Sequence, residues 1–152
     1  MRDILSRAKR KDNGEWIEGY SVKAHWYLDE KEIYSILPID LCFYPHGEIS
    51  EWVEIDPVTL CRCMGIKDKN GKQVFENDVV SYDFEGQTIY GVIKYGWDDN
   101  EENDDLIDPT NRNFGFYIDW INDGNILRSN IGCWEDGFEV VGNSFDDLES
   151  FK

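Results

Sequence analysis

Two histidines, His25 and His46, and four cysteines, Cys42, Cys61, Cys63 and Cys133, are the side chains best suited to acid–base or nucleophilic work. Neither histidine sits in a telling context. His25 precedes Trp26 and Tyr27, and His46 lies between Pro45 and Gly47, a turn sequence. No serine or cysteine stands in a nucleophile elbow. A Cys–His pair stays open, since such partners need not be neighbours in sequence. A packed or solvent-facing imidazole is the favoured reading of both histidines. Structural zinc takes four thiolate or imidazole ligands, usually with at least two residues between paired cysteines. Cys61 and Cys63 are separated by Arg62 alone, so zinc would require Cys42 and Cys133 to join them in space. Half-buried strand cysteines are the plainer expectation, because alternate residues of a strand share a face.

Carboxylates are the most abundant chemical resource. The segment Asp98-Asp99-Asn100-Glu101-Glu102-Asn103-Asp104-Asp105-Leu106-Ile107-Asp108 carries seven of them and no base. A calcium loop starting at Asp98 would need glycine at position 103 and glutamate at position 109. The sequence has Asn103 and Pro109 there, so the template fails and a solvated acidic loop is expected, with a weak cation site as the open alternative. Charge is also unevenly placed. Residues 1–76 hold 11 basic and 14 acidic groups, whereas residues 77–152 hold 4 and 18. Such an excess can mimic a phosphate backbone and steer toward a basic groove. The opposite chemistry is concentrated near the start, where Arg7, Lys9, Arg10 and Lys11 precede Trp16. Cations beside an aromatic ring are the minimal recipe for single-strand binding. With a formal charge of −17 on the whole protein, however, direct nucleic-acid binding is disfavoured. No catalytic, cofactor-binding or metal-ligating residue is therefore assigned, and the protein is not expected to be an enzyme.

The elements that must position these groups read as strands. Period-two patterning marks residues 16–22, 32–37, 52–55, 58–64, 78–84, 88–95, 114–120 and 138–142. Asp12-Asn13-Gly14 and Asp68-Lys69-Asn70-Gly71 are turn signals, and Glu85-Gly86-Gln87 reads as the loop of a hairpin. Asp78 opens a strand, where its carboxylate can accept from nearby backbone N–H groups. Val79, Ile89 and Phe116 are candidate interior positions, and Gly91 a candidate bend. No window carries a helical stripe, and the tail from Asp146 has room for one turn. Many short strands suggest a small barrel or sandwich. The 152 residues match the size of one domain or two very small ones, and the 14% aromatic content argues against disorder. The charged opening lacks the apolar core of a signal peptide, so a cytoplasmic address with reduced thiols is expected, and no stretch suits a membrane span.

Several segments together resemble phage and prophage proteins of the YopX family. They are Arg7 to Tyr20, Ile55-Asp56-Pro57-Val58-Thr59, and a central motif from Gly65 to Val80. Gly91-Val92-Ile93, Gly115 to Trp120 and Glu139-Val140-Val141-Gly142-Asn143 follow in order. The triplet before the motif's glycine departs from the family pattern, being Arg62-Cys63-Met64. The resemblance implies a mainly β protein, with a β-rich N-terminal region over residues 1–57 and an SH3-like barrel over 58–152. It implies no catalytic residues. The expected role is that of a phage-derived accessory protein, a binding or scaffold module with an unknown protein partner. The alternative is an acidic nucleic-acid mimic that inhibits a DNA-binding enzyme. Exposed strand edges make homo-oligomers a further expectation.

Overall fold

A computed structural model describes residues 5–26, 31–38, 52–97, 114–121, 129–130 and 137–151. These residues are mainly β, arranged in two antiparallel sheets. Among them, helical structure is limited to single 3-10 turns at Pro57–Thr59 and Leu148–Ser150. No helix among the described residues is long and apolar enough to cross a membrane. The protein divides into two compact units, Met1–Cys63 and Met64–Lys152.

In the first unit, β1 (Leu5–Lys9) pairs antiparallel with β2 (Trp16–Trp26), β2 with β3 (Lys31–Pro38), and β3 with β4 (Val53–Glu54). On the other side of β1, Ser6 and Arg7 pair with Arg62 and Cys61 at the start of β5 (Cys61–Lys67). One face of this sheet closes over Ala8, Ile36 and Ile55, joined by Ile17, Tyr34 and Leu60. Gly19 has a steric reason. A Cβ there would run into the Leu37 carbonyl oxygen and approach Ile36 Cγ2 to 2.7 Å.

The strand expected over residues 58–64 starts later. Pro57–Thr59 is a 3-10 turn, capped by the Asp56 carboxylate, which accepts the Val58 N–H at 3.1 Å. Proline fixes φ near the helical value at the first position of such a turn, and aspartate before it is a good cap. Thr59 faces inward and accepts the Lys9 N–H at 2.8 Å, while Val58 is left exposed.

The second unit contains the rest of β5, then β6 (Gln73–Phe75), β7 (Asp78–Phe84), β8 (Gln87–Trp97), β9 (Phe114–Trp120), β10 (Ser129–Asn130) and β11 (Glu139–Asn143). Its sheet has the order β10-β9-β8-β7-β11. Val74, Val80, Ile89, Ile93, Ile118, Trp120, Phe138 and Val140 form the core, with Met64, Ile66, Tyr82 and Phe116 packed against it. Of the candidate interior positions, Val79 and Ile89 are buried and Phe116 is half-buried. The β7–β8 hairpin closes through Glu85 and Gly86, with φ of 48° and 85°, between the paired residues Phe84 and Gln87. Two positive φ values in a two-residue loop match the right-handed twist of the flanking strands. In β11, the pairing with β7 slips between Val140 and Gly142, a bulge.

Candidate functional site

Two carboxylates of the central motif, Asp68 and Asp78, are buried, and both are turned onto backbone. Asp68 is 6% exposed and lies in the turn between β5 and β6. Its Oδ1 accepts the N–H groups of Asn70 at 2.9 Å and Lys72 at 2.8 Å, and its Oδ2 accepts that of Val140 at 3.0 Å. The turn is closed by Gly71 N–H on the Asp68 carbonyl at 2.9 Å, with Gly71 at φ +81°. Burial pushes the Asp68 carboxyl up, but the three backbone donors outweigh it, so its pKa falls below the ordinary value. Asp78 is fully buried, and its Oδ2 accepts the Phe75 N–H at 2.8 Å, in keeping with its place at a strand start. Between them, Asn77 adopts φ 66°, its N–H donating to Ile93 O and its carbonyl accepting from Ser144 N–H, both at 2.8 Å. Lys69 Nζ meets Glu139 at 2.8 Å, and this hydrogen bond raises the lysine pKa. The motif thus staples β5, β6, β7, β8 and β11 into one unit.

The basic start resolves into two halves that the sequence did not separate. Arg7 and Lys9 lie on one face of β1, with the guanidinium 4.9 Å and the ammonium 5.4 Å from the Trp16 ring centroid. The strand register explains this, since Lys9 is opposite Trp16 and Arg7 is two residues away on the same face. Arg10 and Lys11 each meet an acid of the protein itself. Arg10 grips Asp12 through two bonds of 2.9 and 2.6 Å, and Lys11 reaches Glu54 at 2.6 Å. The Asp12 hydrogen bond raises the Arg10 pKa, and the same bond lowers that of Asp12. Arg10 and Lys11 are thus tied to carboxylates, and Arg7 and Lys9 share the Trp16 ring. Sequence reading also missed β1 itself, although Leu5 to Lys9 alternates half-buried and buried residues. The signal was a period of two, hidden because Ser6 and Ala8 are the inward residues and small.

Cys61 and Cys63 lie on β5 and neither is in a disulfide, the first buried with its thiol donating to Thr59 O at 3.3 Å, the second half-buried. His25 lies in β2 opposite Glu32, and its side group is outside the described residues. His46, Cys42, Cys133 and the acidic segment 98–108 are likewise outside them. Among the described residues, no three histidines, cysteines or acids are grouped to hold a metal ion.

Fold and motif together define a mainly β protein whose most distinctive segment builds structure. The model of the YopX protein family matches residues 6–151, nearly the full length, and the chain belongs to that family. No curated protein matches it.

Proposed function

We propose that this molecule is a phage- or prophage-derived accessory protein that acts in the host cytoplasm by binding a protein partner, without catalysis. One observation carries the reading. The buried acids of the family motif are turned onto backbone N–H groups, Asp68 through both oxygens and Asp78 through Oδ2, which suits a scaffold and leaves Asp68 poorly placed as acid or base. Function must then be sought on surfaces. The finer fold reading, an SH3-like barrel over residues 58–152, belongs to the same proposal. The β7–β8 hairpin, the bulge in β11 and the neighbouring order β9-β8-β7-β11 support it, because small barrels close through tight hairpins and bulged strands.

The charge step supports a second reading, an acidic mimic of a nucleic acid. Residues 77–152 hold 18 acidic groups against 4 basic ones. Affinity capture with the full-length protein from host cells, repeated across a salt series, separates the two. A stoichiometric partner retained at high salt supports the scaffold reading. A basic DNA-binding enzyme lost as salt rises supports the mimic, because exposed charge pairs are screened. Turnover of a substrate by the purified protein would overturn both.

A further inference from the structure

Two turns of this protein hold Asn-Gly pairs, Asn13-Gly14 and Asn70-Gly71, and the structure treats them differently. An asparagine followed by glycine can cyclise without help from an enzyme. The glycine backbone nitrogen attacks the asparagine Cγ, a new C–N bond forms to give a succinimide, and the bond from Cγ to Nδ2 breaks. The glycine amide proton leaves with the departing Nδ2 as ammonia. Water then opens the ring at either carbonyl, giving aspartate or isoaspartate.

In both turns the attacking nitrogen is equally engaged. Gly14 N–H donates to Arg10 O and Gly71 N–H to Asp68 O, each at 2.9 Å. The difference lies in the amide under attack. Asn13 is clamped at both ends by Glu15, its Nδ2 donating to Glu15 Oε2 at 3.0 Å and its Oδ1 accepting the Glu15 N–H at 2.9 Å. Among the described residues, no hydrogen bond holds the Asn70 amide, and the residue is exposed. Flanking charge does not separate the two turns, since Asp12 is paired with Arg10, Lys69 with Glu139, and the Asp68 carboxylate lies in the Asn70 turn itself. The hold on the side-chain amide is therefore what distinguishes Asn13 from Asn70.

We propose that Asn70 is a site of spontaneous deamidation in the folded protein, while Asn13 is protected by its Glu15 clamp. The consequence falls on the family motif. Either product places a second negative charge in a turn whose N–H groups converge on Asp68, and isoaspartate also lengthens the backbone between Lys69 and Gly71.

The test is incubation of the full-length protein at 37 °C and mildly alkaline pH, followed by peptide mapping that resolves isoaspartate. Asn70 is expected to convert several-fold faster than Asn13. In Glu15→Ala, conversion at Asn13 should rise several-fold with Asn70 unchanged. Glu15→Gln, which keeps a side-chain acceptor but removes the charge, should give a smaller rise. Far-ultraviolet circular dichroism confirms that each variant remains folded. Equal or faster conversion at Asn13 in the folded wild type overturns the proposal, as does a Glu15→Ala variant in which Asn13 stays slow.

Discussion

Asp68 holds Val140 across 72 positions of sequence, its Oδ2 accepting the Val140 N–H at 3.0 Å. Val140 sits in β11 next to the bulge, where the ladder with β7 slips. The carboxylate thus gives the Val140 N–H an acceptor in addition to the ladder that pairs β11 with β7. Hydrogen bonds to a charged acceptor are stronger than neutral ones, and an orphaned buried donor carries its full desolvation penalty. Asp68→Ala is therefore expected to destabilise the protein by about 3 kcal/mol. Urea unfolding followed by tryptophan fluorescence measures this, and a loss below about 1 kcal/mol would contradict the role assigned to the residue.

The same residue makes a signed prediction for pH. Its folded pKa lies below the unfolded aspartate value of about 3.9, because three backbone donors prefer the ionised form despite burial. The stabilisation is fully present above that unfolded value and is lost as pH falls through the lower folded value. Asp68→Asn cannot titrate. The stability gap between wild type and Asp68→Asn should be constant near neutrality and shrink below about pH 4. A gap that stays constant on acidification would show that the ionised carboxylate is not what anchors the turn.

Strand content was legible because period two and turn residues operate locally. Trp16 onward, the Glu85-Gly86 hairpin and the Phe114–Trp120 strand all follow from alternation and from glycine's tolerance of positive φ. The Asp68 turn was legible too, but not its grip on Val140, since a contact 72 residues away leaves no local trace. Residues 58–64 mislead because β-branched Val58 and Thr59 favour strands, while Asp56 and Pro57 impose a capped turn. The cationic start is over-counted for a related reason. Which lysine or arginine meets an acid depends on cross-strand register, as Lys11 and Glu54 show.

Gly91 reads in sequence as a bend, and the structure gives it another task. It is opposite Trp120 in the β8–β9 ladder, and a Cβ on it would run into Ile118 Cγ2 and come within 2.9 Å of Trp120 Cε3. Those neighbours are buried and have little room to move. Gly91→Ala should cost about 1–3 kcal/mol by overpacking. Gly19→Ala, where the obstacle is the Leu37 backbone oxygen, should cost more because a carbonyl on a paired strand yields less than a side group. Parallel urea titrations decide the order, and a Gly91→Ala variant as stable as wild type would mean that the ladder relaxes freely there.

Among the described residues, Glu85 is the one long side group held in the left-handed region, at φ 48°. The hairpin geometry demands this value at the first loop position, and Gly86 at 85° satisfies the second without strain. Asn77 meets a similar demand at 66° with a residue that tolerates it. Nothing in the β7–β8 ladder requires a carboxylate at position 85, which is exposed. Glu85→Asn should therefore stabilise the fold by about 1 kcal/mol by relieving backbone strain. The gain should appear as a higher melting temperature, with the largest rise in amide-exchange protection along β7 and β8. A neutral or destabilising result would show that the glutamate has a role in the hairpin beyond filling a turn.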